Sequence, residues 1–255
     1  MASKLCPCGS GLKQNACCIN ETIAALKNDY INKLFMPERL VWAIEYIKYK
    51  AAYNEHIIAE QEKYAESIGK KITCQKKCAS CCVEFIAARL EECDAIAVYL
   101  YLYPELMNQF LMNYDVWYKQ ITSDDNLLER TSDAYQKAFE TDQAEDKRIF
   151  EGMTLKYAGK YARCPFLKDD LCIIYPIRPY TCSTYAVISE KRYCEPNLPE
   201  EEYVNHKLKV KLEMSPLYFE EKYNEVAYYL DSNGSLTFGP MPTLIYQILQ
   251  YGPVF

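Results

Sequence analysis

Glycine is scarce in this 255-residue chain, with only 8 residues, at positions 9, 11, 69, 152, 159, 234, 239 and 252. Neither a G-x-G-x-x-G turn nor a P-loop can be written with them, which argues against a Rossmann-type cofactor fold and against a P-loop NTPase. Histidine is scarcer: His56 and His206 are too few for most His-built metal sites, and both read as surface residues. Positive charge is not in excess, since 29 Lys and Arg stand against 35 Asp and Glu, a net charge of −6. A protein that tracks phosphates normally carries a basic surplus or stripe, so no nucleic-acid partner is expected. Long apolar runs are missing too. The longest, Ala95 to Pro104, falls far below the roughly 20 residues that span a bilayer, and no membrane association is expected. Met1 to Cys18 contains no apolar core of a signal peptide. The expected compartment is the cytoplasm, where thiols stay reduced and structural disulfides are rare.

Cysteine, by contrast, is plentiful. There are 13, an odd number, and many are adjacent or two residues apart. Neighbours that close bridge poorly to each other, whereas their spacing suits thiolates converging on a metal ion. Half of the residues are apolar, and this length buries a sizeable core. The 24 tyrosines mostly recur at helical spacing and are expected in the core or at its rim.

The pattern between the cysteines is helical. From Pro37 to Gly69 no further Gly or Pro occurs, and Leu40, Ile44, Ile47, Ala51 and Ile58 recur on one face, with Asn54 filling one slot. Pro37 suits a first turn and Gly69 a C-terminal stop, which predicts one helix of about 50 Å. Further helices are predicted near 91–102, at 105–120 with Leu106, Phe110, Tyr114 and Trp117 on one face, and at 124–150 with Ser123 as N-cap. Residues 151–197 read as irregular, with prolines at 165, 176, 179 and 196; short β pairs fit within 172–189, but nothing alternates long enough to predict a sheet. Helical signals return at 199–214, after Ser215-Pro216, and at 242–250, with a turn at Asn233-Gly234. The expected fold is mainly α: a helical domain around an irregular cysteine-rich metal-binding core, with a small zinc-held N-terminal segment. Its parts are residues 1–20, the helices of 21–73, the cysteine core of 74–197, and C-terminal helices over 198–255.

Cys6, Cys8, Cys17 and Cys18 place four thiols within thirteen residues, with Gly9 and Gly11 to let the backbone fold back. That satisfies the needs of a closed tetrahedral zinc site, and zinc supplies a fold to a segment that has no core of its own. The stretch CPCGSGLKQNACC resembles the SEC-C zinc motif, with Leu12 where a basic residue is usual. The resemblance implies a structural zinc module that contacts another protein.

The second constellation is Cys74-x3-Cys78-x2-Cys81-Cys82, followed some 80 residues later by Cys164, Cys172, Cys182 and Cys194. Eight thiols exceed one tetrahedral site, so two mononuclear sites, a polynuclear centre or an iron–sulfur cluster all fit. Cys93 reads instead as a buried small hydrophobe. Arg178, four residues before Cys182, is the best candidate to relieve thiolate charge, and Pro165, Pro176 and Pro179 fix the loops. Lys76, Lys77 and Arg163 read as solvated surface charges. The run from Cys74 to Cys82, Glu92 with Ile96-Ala97, and CPFLKDDLCIIYPIRPYTCSTY from Cys164 to Tyr185 together resemble the YkgJ-type cysteine-cluster family, described as zinc- or iron-chelating. Ser183 stands where that family commonly has an Arg. The resemblance implies metal chelation, with Glu92 as an oxygen ligand or an acceptor behind the ligands. It leaves open a metal-binding protein, a methyl-transferring or redox metalloenzyme similar to flagellin lysine-N-methylase, and a docking module with purely structural metals. No small-molecule substrate is indicated.

Overall fold

The structure, a computed structural model, describes residues 37–74, 77–123, 126–188, 207–209 and 238–251. Seven α-helices carry most of the described residues: α1 (Pro37–Ser67), α2 (Leu90–Leu102), α3 (Pro104–Ile121), α4 (Leu127–Thr141), α5 (Ala144–Ala158), α6 (Tyr180–Ser183) and α7 (Met241–Tyr251). Three two-stranded antiparallel ribbons join them: β1 (Ala87–Arg89) with β6 (Phe238–Pro240), β2 (Leu167–Lys168) with β3 (Leu171–Cys172), and β4 (Tyr185–Val187) with β5 (Lys207–Lys209). The mainly α reading holds.

The long helix α1 begins at Pro37 as predicted, and its end has a clear cause. Gly69 takes φ +67, the Gly69 amide donates to Glu66 O at 3.0 Å and the Lys70 amide to Ala65 O at 2.8 Å. This is a Schellman cap, which needs a left-handed residue at the position glycine occupies. Leu40, Ile44, Ile47, Ala51 and Asn54 are buried as the spacing implies, but Ile57 rather than Ile58 continues the stripe. Beyond Asn54 the buried positions are Ile57, Gln61 and Ala65, a strict i, i+4 row.

At the centre lies α2, buried at every position from Leu90 to Leu100. From Ala95 onward it is apolar on every side, as a helix inside a domain is, and its first turns carry the buried carboxylates Glu91, Glu92 and Asp94. It packs against α1, α3 and α7, and the β1–β6 ribbon with the Met241 amide donating to Ile86 O (2.9 Å) brings α7 to it. Phe110 of α3 stacks on Phe166 at 4.5 Å between centroids, and Tyr114 on Tyr246 of α7 at 4.0 Å.

Three predicted elements are revised. The single helix over 124–150 is two, α4 and α5, packed as a hairpin, with Asp142 in the left-handed region at φ 53 and Thr141 Oγ1 donating to Asp146 Oδ2 at 2.7 Å. Its N-cap is Asn126, and the Ser123 hydroxyl instead donates back to Gln120 O. The irregular stretch begins after Ala158, because α5 runs straight through Gly152, a residue helices tolerate at a cost of about 1 kcal/mol. Within the predicted helix 199–214, Lys207–Lys209 is a strand, since the edge of β4 needs a partner. The rest of that segment, Ser215-Pro216, the Asn233-Gly234 turn and His206 lie outside the described residues.

Replacing Phe110, which is fully buried, by Ala is expected to cost about 3–5 kcal/mol of stability in urea unfolding. Met112→Ala two positions away, 70% exposed, is expected to stay within about 0.5 kcal/mol. Equal losses would refute the assignment of α3's inner face.

Candidate metal centre

The two cysteine segments meet side by side. The Thr73 amide donates to Val187 O at 2.8 Å, the Val187 amide reaches Cys74 Sγ at 3.4 Å, and the Cys164 amide donates to Cys82 O at 2.7 Å. Tight turns fold the first segment back, from the Cys82 amide to Ala79 O and the Glu84 amide to Cys81 O, with Lys77 at φ 69. In the second, Asp169 and Asp170 both take positive φ and close the β2–β3 hairpin. Such a two-residue turn matches the strand twist.

Seven cysteines are thereby gathered. Ionisation of Cys81 would be felt at Cys74, Cys164, Cys172 and Cys182 and that of Cys78 at Cys74 and Cys81, and Cys82 hydrogen-bonds Cys81. All of the described cysteines are free thiols. Cys93 stands apart, fully buried in the apolar core as expected. Among the described residues, no three Cys, His, Asp or Glu side chains stand in ligand geometry about one point. The thiols are neighbours, not a closed shell. Cys6, Cys8, Cys17, Cys18, Cys194 and Lys76 lie outside the described residues.

Electrostatics at the cluster favours the neutral thiol. Burial pushes Cys172 up to about 11 and holds Cys164 and Cys182 well above the ordinary thiol value, with their cysteine neighbours adding to both. Cys81 is raised by its hydrogen bond with Cys82 and then by burial. One cation opposes this. Arg178 pulls Cys74, Cys172 and Cys182 down, its guanidinium lies 4.3 Å over the Tyr175 ring, and its Nε is buried without a hydrogen-bond partner among the described residues. A half-buried cation beside soft sulfur donors fits a thiolate-held metal centre.

The loops are held by polar side chains from the helices. On α1, Asn54 Nδ2 donates to Pro176 O (2.9 Å) and Arg178 O (3.1 Å), and Gln61 Nε2 to Ser183 O (3.1 Å). From α3, Asn113 Nδ2 donates to Pro165 O (3.0 Å) and Leu167 O (2.7 Å). Ser183 is fully buried, with its hydroxyl 3.2 Å from Pro179 O, so the Arg common in the resembling family has no room here. Lys77 and Arg163 are exposed, and Arg163 pairs with Asp170, as surface charges do.

Glu92 has the role of an acceptor. It is buried; Oε1 accepts from the Tyr180 amide at 2.8 Å and lies 3.4 Å from Lys50 Nζ, while Oε2 is 3.4 Å from the Arg89 amide. Lys50 is the residue that sequence reasoning missed. It is 1% exposed, with its ammonium 2.9 Å from the Tyr180 ring centroid and 5.3 Å from that of Tyr53. Burial pushes it down to about 8 against the pull of Glu92. Its one signal in the sequence is position: Lys50 stands between Ile47 and Asn54 on the apolar stripe, where a solvated lysine has no place.

Comparison with known proteins adds no relative: no protein family, curated protein or solved structure matches the chain.

Glu92→Ala removes the partner of a buried ammonium and the acceptor for Tyr180, and is expected to lower stability by about 3–5 kcal/mol in denaturant unfolding. A loss below about 1 kcal/mol would show that the pair does not hold the 176–183 loop to the helices.

Proposed function

We propose that this chain is a metal-binding protein in which Cys74, Cys78, Cys81, Cys82, Cys164, Cys172 and Cys182, together with Cys194, provide the ligands of a zinc or iron centre. Cys6, Cys8, Cys17 and Cys18 hold a separate structural zinc in the same reading. The observation that carries it is the meeting of two cysteine segments distant in sequence, joined at Cys82 and Cys164, beside the half-buried Arg178. Apolar packing alone does not require seven free thiols there, and the loops that bear them are fixed by side chains of α1 and α3. Zinc at such a site cross-links the two cysteine segments, and iron supplies electron transfer. The resemblance to the YkgJ-type family and to the SEC-C motif supports the same reading from the spacing of the cysteines.

The test is elemental analysis and an absorption spectrum on protein purified without oxygen. Zinc or iron in stoichiometric amount, reduced when Cys81 and Cys182 are replaced by Ser, is the expected result; a metal-free chain that stays folded refutes the reading. The sign of the pH dependence follows from the raised thiols. The empty site keeps its protons at neutral pH, each coordinated thiol releases one, and affinity therefore rises with pH. Competition with a chromophoric chelator is expected to show affinity rising about tenfold per pH unit for each proton released between pH 6 and 8. A flat profile contradicts thiol ligation.

A further inference from the structure

We propose that the surface around Cys74 docks an acidic protein, recognised by Lys70, Lys71 and Lys77 together with the lysines of β5. The inference goes beyond the metal-binding reading and does not depend on it. Its basis is a segregation of charge. In a chain of net charge −6, residues 69–83 hold four lysines and no Asp or Glu, and residues 171–188 hold Arg178 and no acid. The fold adds a third basic segment to these two. The Thr73 amide and hydroxyl both donate to Val187 O at 2.8 Å, and Val187 pairs with Lys207 across the β4–β5 ribbon, with Lys209 opposite Tyr185. Lys207 and Lys209, far away in sequence, thus take their places in the backbone beside the stretch from Lys70 to Thr73.

Lys70, Lys71 and Lys77 are exposed, and none of the three pairs with a described carboxylate. Protection of a sheet edge accounts for lysines on β5. It does not account for these three, which stand on turns and loops with no ladder to protect. A protein fits this face better than a nucleic acid. Elsewhere the chain carries an excess of carboxylates, which repels a long phosphate strand but leaves room for a compact acidic surface within about 10 Å of the lysines. The second cysteine segment also presents Tyr175, 49% exposed, with the Arg178 guanidinium 4.3 Å over its ring. Tyrosine and arginine are the residue types that anchor protein interfaces. Cys74 is exposed and Cys78, Cys81 and Cys82 are half-buried, so a partner seated on the lysines meets the thiols. Contacts of this kind raise the rate of encounter more than they raise affinity, and the docking is short-lived.

The experiment is fluorescence anisotropy on the full-length chain at about 0.1 M salt, where charges more than about 10 Å apart are screened. Two labelled probes of equal charge are used, a peptide of Glu and Ala and a thymidine oligonucleotide. Two triple variants carry the same change in net charge. One is Lys70→Glu, Lys71→Glu and Lys77→Glu; the other is Lys48→Glu, Lys119→Glu and Lys156→Glu, on exposed positions of α1, α3 and α5. Far-UV circular dichroism confirms folding. The first variant is expected to bind the peptide at least about tenfold more weakly than wild type, and the second within about twofold of it. Wild-type binding of the peptide is expected to weaken as salt rises. No peptide binding by wild type, equal losses in the two variants, or tighter binding of the oligonucleotide than of the peptide overturns the proposal. Where a triple variant fails to fold, Lys70→Gln with Lys71→Gln, against Lys48→Gln with Lys119→Gln, decides in the same direction.

Discussion

Three carboxylates at the start of a buried helix set the terms for this fold. Glu91, Glu92 and Asp94 occupy the first turns of α2, each almost wholly buried. The helix N-terminus favours negative charge, but only by roughly 1 kcal/mol per group, far less than burying a bare carboxylate costs. Each therefore takes a cation: Arg39 pairs with Asp94, Lys50 with Glu92, and Arg89 with Glu91 at 2.6 Å. Two of the three cations come from α1. The long helix must lie against α2 in one register, because a shift of one residue would separate both pairs. Apolar contacts alone, with Leu40, Ile44 and Ile47 buried on α1 and Ala95 to Leu100 apolar throughout on α2, specify that register less sharply.

The same register sets the cysteine loops. Lys50, Asn54 and Gln61 form a polar edge along α1, and each reaches the 176–183 segment directly or through Glu92. Asn113 does the same for 165–167 from α3. Irregular backbone at this depth has carbonyls that no ladder satisfies, so side-chain amides provide the donors. Phe166, Ile174 and Ile177 anchor the same loops in the apolar core. What they hold is a patch of thiols whose burial favours the proton, with Arg178 as the opposing charge.

The α4–α5 hairpin shows where pattern reading fails. Residues 124–150 offer continuous helical periodicity, and no Gly or Pro interrupts them. The break at Asp142 comes from a positive φ at an aspartate, a conformation that short polar side chains tolerate, secured by Thr141 on Asp146. In the other direction, Gly152 marks irregular backbone by its identity and is helical because α5 packs on α4. The strand at 207–209 is a partner for β4 and has no alternation of its own.

Local chemistry was enough for much of this protein. Pro37, the absence of helix breakers and Gly69 fixed the ends of α1; the spacing of Phe110, Tyr114 and Trp117 fixed the buried face of α3; and the identity of Cys93's neighbours placed it in the core. These features depend on residues within a few turns of one another, where periodicity and caps act. Lys50, Gln61 and the acceptor role of Glu92 depend instead on partners 42 to 122 residues away. Burying a charge is allowed only when the opposite charge is already in place. No window of sequence contains both, so only the packing of α1 on α2 decided that a lysine and a glutamate would lie together behind the cysteines.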